Sequence, residues 1–376
     1  MPEVLGAMNI ASRALPTGID GTKVAEWELR RGYTYQQFVN EVSLAIAAVN
    51  EELRAEAGPV SYITEEIQVE YPDGGSVTEM PEITDADDIE SVSGTTIGHM
   101  LPFKTHGRAV GTTWLAARDL RSAQVESTIA TLVNQARWRF SKSWMRRLFT
   151  NTENAIGSGG YDVPWVRGTG GNVDYTPPAW KGEAFASSHD HFIGVDSGSK
   201  TWANVFDELA ETVEEHGHEA PFRAIVPKVD ISTITNLTNF KRFVSQRSIV
   251  IDRGGASSGN QFFVTGQPTP SGGLIGYYES NSGEIEVYAS SRLATGYGSL
   301  YKSYGDNDAR NPLACRVYPD VGFGMYLRPE FSGDIEFPIK KIRVVFEFGF
   351  GVWRDRTAAA VARLVSGGAW TNPTIS

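Results

Sequence analysis

The longest regular pattern of apolar and polar positions lies in residues 112–156, a stretch that holds neither glycine nor proline. Between residues 119 and 149 apolar side chains recur at helical spacing, which predicts one unbroken amphipathic helix. At a rise of about 1.5 Å per residue, this rod is roughly 45 Å long. A rod longer than a small domain is wide indicates an extended protomer that completes its burial against neighbouring subunits.

A helix and a hairpin are predicted ahead of the rod. Thr34, with Gln37 three residues later, fits a capping box, and apolar positions at helical spacing then continue to a stop at Gly58. Alternation over residues 62–71 predicts a strand, and the turn residues that follow lead into a return strand at residues 76–80.

The chain beyond the rod has a mixed pattern of helices, strands and loops. Its predicted elements are long loops over 154–204, a helix over 202–216, a short strand over 224–226, a helix over 230–237, several strands between 261 and 327, a long strand over 339–352 and a short alanine-rich helix over 357–365. Helices and strands in this order predict an α+β chain.

The net charge of −11 is unevenly distributed. Residues 51–90 hold 13 acidic residues and one basic residue, whereas the second half of the rod is basic. Two interpretations stay open: a solvated acidic loop with bases favoured near a helix C-terminus, or an acidic arm of one subunit lying across the basic helix of the next. The second makes inter-subunit contact candidates of Glu65, Glu66, Glu70 and Asp73 on one side and of Arg137, Arg139, Lys142, Arg146 and Arg147 on the other.

Four of the six histidines form two His-x-His pairs, which are the main candidates for metal chemistry. Imidazole suits zinc and iron, and on a strand such a pair points both rings to one face. However, one pair sits at a predicted helix end, where the helix dipole favours histidine, and the other falls in a predicted loop. We therefore expect no metal site, and the alternative is a site built from His189, His191, His216 and His218, with Glu219 as a carboxylate ligand.

No other residues form a recognisable catalytic or cofactor-binding pattern, so we expect no catalytic residues and no cofactor. The single cysteine, Cys315, is flanked by apolar residues and is predicted to be buried. No apolar run reaches the length of a membrane span, and the first residues lack the pattern of a secretory signal. We expect no membrane partner and synthesis in the cytoplasm.

The order of these elements resembles that of the Hong Kong 97-type major capsid proteins of tailed bacteriophages. The local stretches that carry the resemblance are Leu101-Pro102-Phe103 through Trp114, Asn311-Pro312-Leu313 with Arg316-Val317-Tyr318-Pro319, and the segment from Phe348 to Arg356. The resemblance implies four parts: an N-terminal arm at 1–60, an extended loop at 61–100, a peripheral domain with a long spine helix at 101–153 and 328–353, and an axial domain at 154–327 and 354–376.

The resemblance also implies a function and a set of partners. Copies of the chain would form hexamers and pentamers that close into an icosahedral phage head around double-stranded DNA. The shell would lie close to this DNA without binding it sequence-specifically. The protein would reside in the virion after synthesis in the host bacterium, and its partners would be a separate scaffolding protein, a portal and a decoration protein.

Some members of this family join their subunits by isopeptide bonds from a lysine of the extended loop. Because no lysine occurs between Lys23 and Lys104, we expect no such crosslink here. Two alternatives to a phage head remain: the shell of an encapsulin-type nanocompartment, and a metal-dependent enzyme that uses the paired histidines.

Overall fold

A computed structural model of the protein describes ten stretches of the chain: residues 28–29, 33–72, 96–113, 122–155, 161–169, 172–173, 175–181, 184–242, 273–331 and 339–375. The chain divides into two compact units. Unit 1 comprises Met1–Ala55, Phe103–Ser141 and Arg316–Gly349, and unit 2 comprises Glu56–Pro102, Lys142–Cys315 and Phe350–Ser376.

The regular elements follow in chain order. The first are β1 (Glu28–Leu29), β2 (Tyr33–Thr34), α1 (Tyr35–Ala57), β3 (Ser61–Thr64), β4 (Gln68–Pro72), β5 (Thr96–Met100), β6 (Lys104–Thr113) and α2 (Ser122–Phe149). Next come β7 (Asn154–Ala155), β8 (Tyr161–Asp162), β9 (Gly168–Thr169), β10 (Asn172–Val173), β11 (Phe192–Asp196), α3 (Trp202–Glu214), β12 (Phe222–Pro227), a 3-10 turn (Lys228–Asp230), α4 (Ile231–Ile234) and β13 (Phe240–Arg242). The last are β14 (Leu274–Ser280), β15 (Gly283–Ser290), β16 (Tyr297–Lys302), β17 (Leu313–Arg316), β18 (Met325–Phe331), β19 (Ile339–Val352) and β20 (Ala359–Val365).

Unit 1 is built around the long strand β19, which pairs antiparallel with β18 on one side and with β6 on the other. Because side chains alternate across a strand, Phe346 and Phe348 lie on one face, with ring centroids 4.3 Å apart. The fully buried ring of Phe140 on α2 packs against both, with centroids at 5.6 and 5.2 Å. Aromatic packing of the helix on the strand therefore forms the core of this unit.

Helix α1 is amphipathic, and its buried positions recur every three or four residues. They are Val42, Ile46, Val49 and Leu53. The side chain of Asn50 holds the helix to β18 with two hydrogen bonds: its Nδ2 donates to the Met325 carbonyl at 3.1 Å, and its Oδ1 accepts from the Met325 amide at 2.8 Å.

Unit 2 contains a seven-stranded mixed sheet in the order β11-β20-β16-β12-β15-β14-β13. The pairs β11/β20 and β12/β15 are parallel, and the other pairs are antiparallel. Helix α3 covers one face of this sheet with Trp202, Val205, Phe206, Leu209 and Val213. The helix passes into a turn at Gly217, whose φ of +89° is readily adopted only by glycine.

Several predicted elements are confirmed. Helix α2 is continuous from Ser122, while residues 119–121 of its predicted range lie outside the described residues. The long strand has the predicted bounds, α1 ends before Gly58 as predicted, and Cys315 is buried. Among the helices of the described stretches, none combines the length and the apolarity that crossing a membrane requires.

The predicted helix at 357–365 is wrong, because this segment is the strand β20. Alanine favours helices in isolation, but β20 pairs with β11 on one edge and β16 on the other. Its residues Ala359–Ala362 are fully buried, and α3 packs on the sheet at this point. Small side chains allow the helix to pack closely on the sheet. Tertiary packing therefore overrides the helix propensity of the alanines.

The predicted hairpin is also corrected. The expected strand over 62–71 is interrupted at residues 65–67, where the Glu66 amide donates to Thr64 Oγ1 at 3.1 Å and turns the chain. Strand β3 then lies beside β17, and β4 pairs antiparallel with β5. The expected return strand at 76–80 lies outside the described residues.

Two smaller differences concern the middle of the chain. The predicted helix at 230–237 is reduced to a 3-10 turn and the four-residue helix α4. Strand β11 falls in a stretch that was predicted as loop, and it forms one edge of the large sheet.

Candidate functional sites

Three of the four acidic residues predicted for inter-subunit contact lie on or beside β4, at the surface of unit 2. The side chain of Glu65 is exposed. Glu66 Oε1 accepts from Arg354 Nη2 at 3.3 Å, and Glu70 Oε1 accepts from Gln68 Nε2 at 3.3 Å. Asp73 lies outside the described residues. The described carboxylates are thus accessible to solvent, and two of them have partners within the chain.

Four of the five basic candidates on α2 are also at least partly accessible. Arg137 forms an ion pair with Glu52 on α1, and both side chains are exposed by more than a third. Arg139 and Arg146 are exposed, and Lys142 is half-buried. These four residues remain candidates for contact with a neighbouring subunit.

Arg147 does not belong with the other four, and its prediction as a surface contact is corrected. Its side chain is buried, and its Nη1 donates to Asp162 Oδ2 at 3.0 Å. Its Nη2 donates to the carbonyl of Thr150 at 2.7 Å. Successive residues of a helix point about 100° apart, so Arg146 can face solvent while Arg147 faces inward.

The carboxylate of Asp162 connects Arg147 to the end of the long strand. The Val352 amide donates to Asp162 Oδ1 at 3.3 Å, and the Val352 carbonyl lies 2.8 Å from Nε2 of His99. Burial raises the pKa of Asp162 to about 6, against the opposing effect of Arg147. Burial also lowers the pKa of His99 to about 4, so this ring is neutral at pH 7. Its Nε2 therefore carries the proton and donates to the Val352 carbonyl.

A second buried base, Arg356, was not identified from the sequence. Its guanidinium carbon lies 5.0 Å from the ring centroid of Tyr175 and 6.0 Å from that of Tyr71. Its Nε donates to the Pro164 carbonyl at 2.9 Å. An arginine that is balanced by aromatic faces and backbone carbonyls leaves no charge pattern in the sequence. The only sequence signal at this position was that Arg356 ends the segment from Phe348 that carried the family resemblance.

The structure brings three of the four candidate histidines together. The Nε2 atoms of His189, His191 and His216 lie 2.8 to 3.2 Å from one another. His218 is directed elsewhere: its Nδ1 lies 3.0 Å from the hydroxyl of Tyr304, and its Nε2 lies 3.1 Å from Asp355 Oδ2. The two sequence pairs are therefore regrouped as a cluster of three rings and a separate contact of His218 with Tyr304 and Asp355.

Comparison with known proteins relates this architecture to phage chains. No family model matches the sequence, and no curated protein matches it. Among solved structures, a chain of Mycobacterium phage Patience matches with a TM-score of 0.62 and 20% sequence identity, over 91% of this chain and 91% of that chain. The two chains share a fold. The resemblance inferred from the sequence is thereby supported by a fold shared with a phage chain, and the α+β class is confirmed.

Other solved structures are more distant. A chain of the capsid of the native GTA particle has a TM-score of 0.47 and 9% identity, over 83% of this chain and 91% of that chain. A chain of the mature capsid of bacteriophage PhiM1 has a TM-score of 0.45 and 12% identity, over 82% and 86%.

We predict that the two adjacent arginines at the end of α2 respond very differently to substitution. Arg147→Ala leaves the buried Asp162 carboxylate without its partner and lowers the free energy of unfolding by about 3–5 kcal/mol. The matched change Arg146→Ala removes an exposed side chain and costs less than about 0.5 kcal/mol. Chemical denaturation monitored by circular dichroism measures both values, and similar losses in the two variants would contradict the buried pair.

We also predict that His99 makes folding sensitive to acid. Between pH 6.5 and 4 the unfolded chain binds a proton at His99 that the folded chain does not, so the free energy of unfolding falls as the pH falls. One such group contributes about 1.4 kcal/mol per pH unit in this window. In His99→Gln the amide can still donate to the Val352 carbonyl but cannot be protonated.

The measurement is the difference between wild type and His99→Gln in unfolding free energy at pH 7 and at pH 4.5. The other titrating groups, including Asp162, are common to both chains, so the difference reports mainly on His99. The loss on acidification should be about 2 kcal/mol smaller in the variant. Parallel pH profiles would show that His99 is not held neutral in the folded chain.

Proposed function

We propose that this chain is the major capsid subunit of a tailed phage, which self-assembles as hexamers and pentamers into an icosahedral shell around double-stranded DNA. The observation that carries the proposal is the fold shared with the Mycobacterium phage Patience chain over 91% of both chains. This fold favours a structural protein over the alternative function, a metal-dependent enzyme that uses the paired histidines.

In this proposal the segments have the roles that the sequence resemblance implies. Residues 1–60 are the arm, and residues 61–100 are the extended loop that overlaps a neighbour. Helix α2 is the spine helix of the peripheral domain, β19 is its long strand, and the sheet of unit 2 belongs to the axial domain. The length of α2, 28 residues or about 42 Å, supports its role as a spine.

Exposed apolar side chains support the proposal that neighbouring subunits cover some of these surfaces on assembly. Ile67 is 50% exposed beside β4, within the proposed extended loop. Trp138 is 46% exposed on α2, within the proposed spine. Covering either side chain with a neighbouring subunit removes apolar area from water and contributes to association.

Charge complementarity is the second proposed contribution to assembly. The surface carboxylates of Glu65, Glu66 and Glu70 would lie against the accessible bases of a neighbour's spine helix. Exposed ion pairs are individually weak, about 0.2–1 kcal/mol each, but a shell repeats each contact in every subunit.

The proposed partners follow from the shell. They are further copies of this chain, a separate scaffolding protein, a portal, a decoration protein and the packaged DNA, which the shell would meet without sequence-specific contacts. The protein would reside in the virion after its synthesis in the bacterial host. The lysine-free proposed loop offers no amine for an isopeptide crosslink, so non-covalent contacts would hold the shell together.

Electron microscopy of the expressed full-length chain tests the proposal. We expect closed shells, tubes or ring-shaped capsomers in negative stain, because the shell fold exposes surfaces that are covered only by other copies. Light scattering should give a mass far above that of one chain. A monodisperse monomer, dimer or tetramer at every protein concentration and in the presence of candidate scaffolding proteins would overturn it.

Charge reversal tests the proposed ionic contact separately. The double variant Glu65→Lys and Glu70→Lys should lower the yield of assembled particles about fivefold or more, as expected for a loss of about 1 kcal/mol per contact. The matched control is Glu214→Lys with Glu284→Lys, which makes the same change in net charge at exposed positions of unit 2.

Salt provides the complementary measurement. Wild-type capsomers should loosen as salt rises toward about 1 M, where the screening length is about 3 Å. Equal yields from the double variant and its control, or assembly that is indifferent to salt, would exclude the ionic contact without affecting the shell proposal.

A further inference from the structure

Three imidazole rings from two separate segments converge on one point in unit 2. Nε2 of His189 lies 2.8 Å from Nε2 of His216 and 3.2 Å from Nε2 of His191, and the third distance is 3.1 Å. His191 is buried, and the other two rings are half-buried. The three nitrogens thus form a nearly equilateral triangle.

The main chain holds the central ring in place. The His191 amide donates to the Val166 carbonyl at 2.9 Å, and the His191 carbonyl accepts from the Val361 amide at 2.8 Å. His189 precedes it by two residues, and its ring reaches the same point. His216 comes from the turn that follows α3. The cluster therefore joins the segment before β11 to the end of the helix.

Hydrogen bonding alone cannot satisfy the three nitrogens. A neutral imidazole has one N–H and one bare nitrogen. Nδ1 of His191 lies 2.8 Å from the Ala359 carbonyl, which can only accept, so this Nδ1 carries the proton and Nε2 is bare. Whichever Nε2 atoms of His189 and His216 carry protons, at least one of the three contacts brings together two bare nitrogens or two N–H groups. A cation that accepts all three lone pairs removes this conflict.

We propose that His189, His191 and His216 bind one divalent transition-metal ion of the zinc class through their Nε2 atoms. With metal–nitrogen distances of about 2.0–2.1 Å, the observed separations correspond to N–metal–N angles of about 85–105°. Such angles suit three ligands on one face of a tetrahedral or octahedral ion. Three protein ligands leave at least one coordination position for water.

The surroundings of the rings favour metal binding. The Nδ1–H···O=C bond from His191 to Ala359 fixes the tautomer, a contact that commonly orients metal-binding histidines. The ring of Phe185 packs on His189 and His216, with centroids at 4.8 and 4.2 Å.

A route for the cation lies beside the cluster. The groove next to His189 is lined by Asp190, Glu208, Glu211 and Glu215. Lys200 pairs with Glu208, and the other three acidic residues leave the groove with a net negative charge. The proposed ion would be reached from this groove and would fasten the segment before β11 to the end of α3. The proposed site replaces the expectation from the sequence that the histidines bind no metal, and it does not depend on the shell function.

Zinc binding by the full-length chain tests the site. The protein is stripped with a chelator, equilibrated at about 10 µM free zinc, separated by gel filtration and analysed for zinc by mass spectrometry. We expect about one zinc ion per chain in the wild type. His189→Gln and His216→Gln, checked for folding by circular dichroism, should each lower this occupancy about tenfold or more.

Two other histidines are matched controls. His218→Gln changes the second histidine of the same tripeptide, and His106→Gln changes a half-buried ring in unit 1. Both variants should keep the zinc. Less than about 0.1 zinc per chain in the wild type, or the same loss in His218→Gln as in His216→Gln, would overturn the proposal.

Thermal unfolding of the metal-free wild-type chain provides a test that does not depend on whether the variants fold. Zinc should raise the unfolding midpoint by about 5 °C, because it binds only the folded site. Magnesium prefers oxygen ligands and should leave the midpoint unchanged. No shift with zinc, or an equal shift with both ions, would show that the three histidines form no transition-metal site.

Discussion

The buried carboxylate of Asp162 is the constraint on which much of unit 2 depends. It accepts from Arg147 at the end of α2 and from the Val352 amide at the end of β19, and it lies 4.0 Å from His99 on β5. A buried charge without partners costs several kcal/mol. Segments that are far apart in sequence must therefore arrive at this carboxylate together, which makes the folding of the unit cooperative.

Elements whose pattern is set by their own residues could be predicted from the sequence. The periodicity of α2 and the alternation of β19 are local properties, and the structure reproduces them. Strand β20 could not be predicted in this way, because its alanines would form a helix if they stood alone. Its neighbours β11 and β16 lie far from it in the chain, and no local pattern reveals that they enclose it.

The candidate sites show the same division between local and distant information. The spacing of His189 and His191 indicated that the two rings could face the same point, but the third ring that joins them comes from the other pair. Arg146 and Arg147 are identical in type and adjacent in sequence, yet one faces solvent and the other is buried. Residue type and spacing identify which groups can act, whereas the packing of the elements decides which of them meet.

The position of β20 has a consequence for the newly made chain. This strand follows the other six strands of the sheet in sequence, but it lies inside the sheet, between β11 and β16. Until residues 359–365 have left the ribosome, β11 and β16 present open edges with unpaired amides and carbonyls. Open edges pair readily with other chains. A polypeptide released before this strand is made would therefore be prone to aggregation, whereas one that contains it can seal both edges with a single segment.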